Sequence, residues 1–244
     1  EYTTSYYFDV ESKSLGGQGI AFFTNHQNVT VYCNDARVYE LQQADSPWGH
    51  TTGSVWNFIH LPYETKEVCI QLEQVYDSYA MENFYVIAGN DSVIYNSLLE
   101  GSALAMACSV VIIVIGVGLI IIWAEKKKKT KSVSNVLYLG ILSILFGLWS
   151  FNETDGVAIL FDDRIASSFA AFVLLKLLSP TLILFIREFT GERRDTVWEI
   201  FSRLMVVDAV ITISLHMLNI ADLKETVFTT HLIIIGSIIY TITV

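Results

Sequence analysis

Residues 102–123 read SALAMACSVVIIVIGVGLIIIW, twenty-two positions without one formal charge. As a helix rising ~1.5 Å per residue, this stretch reaches ~33 Å, enough to cross the hydrocarbon core of a bilayer. AEKKKKTK follows at 124–131, and it packs Lys126, Lys127, Lys128, Lys129 and Lys131 against the end of the apolar run. Lysines crowded beside a span mark its cytoplasmic side. Everything before residue 102 is therefore expected outside, and everything after 131 is expected to alternate.

Four further spans are expected beyond the lysines, at about 132–152, 165–186, 197–220 and 226–244. The connection after the second span holds Glu153, Asp155, Asp162, Asp163 and Arg164, a net charge of -3 that suits a solvated outer loop. Arg187, Glu188, Glu192, Arg193, Arg194 and Asp195 form a short inner loop, and 221–225 a short outer turn. Trp123, Trp149 and Trp198 fall near span ends, where aromatic belts form. Pro180 is expected to kink the third span.

Ionisable residues inside spans are expensive, roughly 2.5–3.5 kcal/mol each or more at the bilayer centre, so each needs a reason. Lys176 on the third span and Asp208 on the fourth each lie ten or eleven residues from a span end, ~15 Å deep at ~1.5 Å per residue. They are opposite in sign on antiparallel neighbours and are expected to pair, as a bundle-stabilising contact first and a gate or proton relay second. Glu199 and Arg203, four apart, are expected to form a local pair. His231 and His216 stand in the last two spans without a third ligand at suitable spacing, so no metal site is expected.

The chain as a whole is 52% hydrophobic with a mean hydropathy of +0.47 and a net charge of -10. A pI of about 4.9 disfavours nucleic acid as a partner. All the excess acid is in residues 1–100, where 13 Asp and Glu face Lys13, Arg37 and Lys66, while 101–244 balances 12 acids with 12 bases. The acidic half disfavours anionic ligands. It also holds 10 of the 12 tyrosines. The first residue is Glu1, and because an outer domain must be exported, a trimmed signal segment is expected ahead of it. At the other end 226–244 stops without a polar flank, and the protein is expected to continue.

Short β-branched and aromatic runs mark strands at 6–10, 19–24, 29–33, 36–42, 54–60, 67–76 and 83–88. Turn residues separate them: Gly16 and Gly17, residues 25–28, Asn34 and Asp35, Asp45 to Pro47, Pro62, Asn90 and Asp91. Seven strands in so short a length suggest an outward-facing all-β sandwich or jelly roll over 1–97, followed by a helical membrane region over 98–244. Val68, Ile70 and Leu72 alternate with Cys69 and Gln71, the pattern of a half-buried strand. Cys33 falls on an inward face and Cys69 on a polar one, so a disulfide between them is possible, but their faces disagree.

Trp48, His50, Trp56, His60 and Tyr76 are the candidates for ligand contact, since aromatic faces with polar neighbours can hold a sugar or small metabolite. Trp56 and Tyr76 are equally readable as core, whereas Pro47 and Gly49 place Trp48 and His50 in a turn. The sequence contains no GxSxG, HExxH or CxxC, no glycine-rich phosphate loop and no internal repeat. No catalytic residues and no cofactor are expected.

GILSILFGLWSFNETD at 140–155, VWNFIHLP at 55–62 with VCIQL at 68–72, LLKLLSPTLILFIR at 174–187 and THLII at 230–234 resemble one group of sensors from clostridia-like bacteria. The family is the bacterial seven-transmembrane receptors with diverse intracellular signalling modules. The resemblance implies a jelly-roll-like outer domain for carbohydrate or another small ligand, a location in the bacterial cytoplasmic membrane and function as a homodimer. It also implies a cytoplasmic effector beyond this chain, a diguanylate cyclase bearing a GGDEF motif or else a histidine kinase. The later spans of that family and the GGDEF sequence are not in these residues, and Lys176 is unusual for such a span. From a different class, a transporter with Lys176 and Asp208 as its polar core is the rival. Ligand and bilayer are the partners expected of a receptor.

Overall fold

β6 shows how the first half folds. Val68, Ile70 and Leu72 are buried while Cys69 and Gln71 are only half-buried, the period-2 pattern of a strand with one face in a core. The computed structural model describes residues 3–10, 18–42, 52–76, 84–127, 134–160, 164–190 and 196–243. Among these, seven strands form: β1 (Thr3–Asp9), β2 (Gly19–Asn25), β3 (Gln27–Cys33), β4 (Ala36–Leu41), β5 (Ser54–His60), β6 (Glu67–Gln74) and β7 (Val86–Gly89). They make two antiparallel sheets, ordered β1-β6-β3-β4 and β5-β2-β7. Val29, Val31, Ile70 and Leu72 from one sheet meet Ile20, Phe22 and Ile59 from the other, so the sheets form a sandwich over one core.

The turn residues do specific work. Asn34 and Asp35 both take positive φ, 46° and 66°, which suits the tight β3–β4 hairpin. His26, at φ 56°, sits where the chain leaves β2 in one sheet and enters β3 in the other. Buried Asn57 is fully employed between the sheets: it donates to Thr24 Oγ1 at 2.8 Å and accepts from Tyr39 Oη at 2.9 Å. Cys33 and Cys69 are free. Register sets Val68 opposite Cys33 and Tyr32 opposite Cys69, which leaves the two thiols on different faces, and burial pushes the Cys33 thiol up so that it stays protonated.

The helices are α1 (Asp91–Lys127), α2 (Ser134–Asn152), α3 (Val157–Leu160), α4 (Arg164–Thr190), α5 (Thr196–Met217) and α6 (Leu223–Thr243). Among the described residues, all but α3 are long and apolar enough to cross a membrane, five in number as expected. α1 differs from the expected span by starting eleven residues earlier. Asn90 caps it, accepting from the Ser92 backbone N–H at 3.0 Å, and residues 92–101 continue as helix into the apolar run. Lys126 and Lys127 lie in its last turn, and the remaining lysines of the run fall outside the described residues.

By contacts the chain forms two units, Glu1–Ala103 with Asp155–Ser168, and Leu104–Thr154 with Phe169–Val244. In the second unit α1 and α2 approach through small residues. A Cβ on Gly147 would stand 2.8 Å from the Ser109 carbonyl, and one on Gly116 2.7 Å from the Gly140 carbonyl. Ser109 and Ser150 meet at 3.1 Å along the same seam. Such close backbone approach is how membrane helices gain packing without a hydrophobic driving force. α5 ends in a Schellman motif, with Asn219 at φ 54° and Ile220 N–H donating to the Leu215 carbonyl at 2.9 Å. α6 then opens on a capping box, the Asp222 N–H donating to Glu225 Oε2 at 2.9 Å. Both ends of this tight turn are thus hydrogen-bonded.

A Cβ on Gly19 would meet only the carboxylate end of Asp91, a half-exposed side chain that can turn aside. Gly19→Ala is therefore expected to leave the thermal unfolding midpoint close to that of wild type, and a marked fall would show that the Asp91 carboxylate is fixed there.

Candidate functional site

The β5-β2-β7 sheet is buried on both faces. Its inner face packs on the other sheet. On its outer face Ala21 and Trp56 form a second apolar cluster with Ile94 and Leu98, which lie four apart on α1, and Ile159 of α3 joins it. Phe58 stacks on Tyr95 of the same helix with ring centres 4.7 Å apart. A buried indole needs a partner for its N–H. Trp56 Nε1 donates to Asp155 Oδ1 at 2.8 Å, and the backbone N–H of Gly156 donates to Ser102 Oγ of α1 at 2.9 Å. Glu153 and Asp155 of the acidic connection are exposed, as expected of a solvated loop, while Asp155 also accepts from Trp56 and Ile159 joins the apolar cluster; Asp162 and Asp163 lie outside the described residues. Two chain segments that lead into apolar helices are thus fastened to one β-sheet.

A second site lies in the helical unit. Lys176 on α4 is 2% exposed, and its Nζ donates to Asp208 Oδ2 on α5 at 3.1 Å, Thr230 Oγ1 on α6 at 2.6 Å and the Thr226 carbonyl at 3.3 Å. Asp208 also accepts from Thr230 Oγ1 at 2.6 Å and from Thr229 Oγ1. All three ammonium protons and both carboxylate oxygens are therefore engaged. Pro180, four residues on from Lys176 in α4, cannot donate to the Lys176 carbonyl and frees the helix locally at that point. The sequence signals the ionic partners through their depth and sign. The threonines carried no signal of their own, because Thr is common in apolar helices.

The remaining expected residues are placed as follows. Trp48 and His50 lie outside the described residues. Trp56 is 3% exposed and belongs to the cluster above. His60 is exposed on β5, its Nδ1 3.2 Å from Asp91 Oδ2 at the start of α1. Tyr76 packs edge-on to His26. His231 is exposed on α6. His216 is buried, stacked on Phe169, with Nδ1 3.2 Å from both Asp222 Oδ1 and the Leu223 N–H. Glu199 and Arg203 pair at 2.6 Å on the surface of α5.

Among the described residues no group of three His, Cys, Asp or Glu could hold a metal ion. Comparison of the chain with protein-family models, with curated proteins and with solved structures finds no match.

Proposed function

We propose that this chain is the membrane-embedded input half of a signalling receptor. The β-sandwich receives a ligand outside the cell, and the helices pass the change to a cytoplasmic effector. A diguanylate cyclase is the effector of choice and a histidine kinase the alternative, both from the resemblance described above. The observation that carries the reading is the shared core of Trp56, Ile94, Leu98 and Ile159. A ligand signals only by binding one of two states more tightly. A sheet that shares side-chain contacts with the start of α1 and with the 155–160 connection has a direct means of setting such states.

The test is a graft of this chain ahead of a diguanylate cyclase domain, with cyclic di-GMP as readout. Two alanines inserted after Ala103 leave Ile94, Leu98 and Ser102 in place but turn the rest of α1 by ~200°. Membrane insertion should persist while output shifts several-fold from the unmodified graft. Unchanged output would sink the reading. A carrier built on Lys176 and Asp208 has less support, because a pair with every donor and acceptor engaged leaves no site for cargo.

A further inference from the structure

The helical unit holds a cavity that no step above uses. It measures about 520 Å³ and lies between the α1–α2 pair and helices α4 and α6, with Ile112, Phe146, Leu182 and Ile238 among its walls. Phe146, Leu182 and Ile238 keep exposed surface and stand well inside their helices, so the cavity opens sideways. The side of a membrane-spanning helix faces hydrocarbon.

The lining suits nothing polar. Among the described residues no charged side chain and no histidine lines it. Its three serines each give their proton to a carbonyl of their own helix: Ser143 to Leu139 at 2.8 Å, Ser179 to Leu175 at 3.3 Å and Ser237 to Ile234 at 2.7 Å. The Trp149 indole is the one other side-chain donor in the wall. A charged or polyhydroxylated ligand would shed its water here without finding partners, which is costly.

Shape narrows the occupant further. The lining runs along α4 from Leu175 to Ile186, ~16 Å at ~1.5 Å per residue. Spread over that length, the volume gives a mean cross-section of about 30 Å². A helix with its side chains is about 10–12 Å across and fills about 80 Å² or more, so a whole helix does not fit. A length of ~16 Å is about half of the ~30 Å hydrocarbon core, the depth that a lipid tail reaches from one leaflet.

We propose that this cavity binds one acyl chain of a bilayer phospholipid, which fills the space that α1 and α2 leave against α4 and α6. Recognition is by the hydrocarbon, so the lipid is selected by chain length and its headgroup lies outside the cavity. The proposal rests on the five helices spanning a membrane and not on the receptor reading.

The full chain is reconstituted in nanodiscs of dipalmitoyl phosphatidylcholine or dipalmitoyl phosphatidylglycerol, released into mild detergent and weighed by native mass spectrometry. Retention of one phospholipid per chain is expected with either headgroup. Dioctanoyl phosphatidylcholine, with chains half as long, should be retained about tenfold less. Ser143→Phe/Ser179→Phe puts two rings into the cavity and should lower retention of the long lipid by about tenfold or more. Val210→Phe, on an exposed face of α5, should leave it unchanged. The filled variant should unfold at no lower a temperature than wild type, as filled cavities do, so that lost lipid is not lost folding. A phosphatidylcholine with a diazirine on its acyl chain maps the contact in the wild-type chain, without any substitution. Its crosslinks should gather on 142–149 and 175–186 rather than on the exposed stretch 204–211 of α5. The proposal is overturned if no phospholipid is retained, if the filled variant retains it as wild type does, or if crosslinks fall as heavily on 204–211. Paired chains that the filled variant separates would make a second copy the occupant and overturn it equally.

Discussion

Lys176→Met, with Asp208 left in place, should destabilise the helical unit by about 3–5 kcal/mol. The substitution strands a carboxylate that now has Lys176 Nζ at 3.1 Å and two threonine hydroxyls as partners. The hydroxyls cannot neutralise it. Asp208→Leu should be comparably severe, because it leaves a buried ammonium with only Thr230 and the Thr226 carbonyl. The double variant Lys176→Met/Asp208→Leu should recover most of the loss, since two apolar side chains avoid both desolvation penalties. Unfolding midpoints in mild detergent measure all three. Single and double variants that lose equal stability would show that the two charges are not coupled. The double variant also separates a packing role from transport: a lock on α4, α5 and α6 tolerates it, whereas a proton-coupled carrier loses flux in reconstituted vesicles.

Gly147→Leu is expected to act as strongly on the other side of the helical unit. The first added carbon would fall 2.6 Å from Ile113 Cγ1 and 2.8 Å from the Ser109 carbonyl, and backbone cannot step aside as a side chain can. Overpacking of this kind costs about 3 kcal/mol, and here it should part α1 from α2. Gly118→Leu is the control, since nothing lies within 4 Å of a Cβ at that position. A Gly147→Leu protein whose denaturation midpoint in sodium dodecyl sulfate matches that of Gly118→Leu would refute the close seam.

The sequence carried some of this plainly and hid the rest for definite reasons. β6 announced itself because only one of its faces is buried, so Val68, Ile70 and Leu72 alternate with polar neighbours. β2 gave a weaker signal. Ile20, Ala21 and Phe22 are all buried, and a strand covered on both faces loses its alternation. Ile94 and Leu98 were visible as apolar residues, but their helical spacing runs into the span behind them. Hydropathy alone cannot show that they pack on a sheet. Asp155 is exposed, as a carboxylate in a short connection should be, but its partner Trp56 lies 99 positions earlier and the contact was invisible in the sequence. Lys176 and Asp208 were found because charge in an apolar helix is conspicuous.

The distance in sequence between Trp56 and Asp155 also governs how the protein is made. A ribosome finishes the strands long before it reaches residue 155, and α1 and α2 are synthesised in between. The sandwich can pair its strands early, but its second apolar cluster stays open until Ile159 emerges. Completion of the β unit therefore waits on the synthesis of α1 and α2. Until residues 155–159 follow, Trp56 lacks its acceptor and the cluster of Ala21, Trp56, Ile94 and Leu98 lacks Ile159.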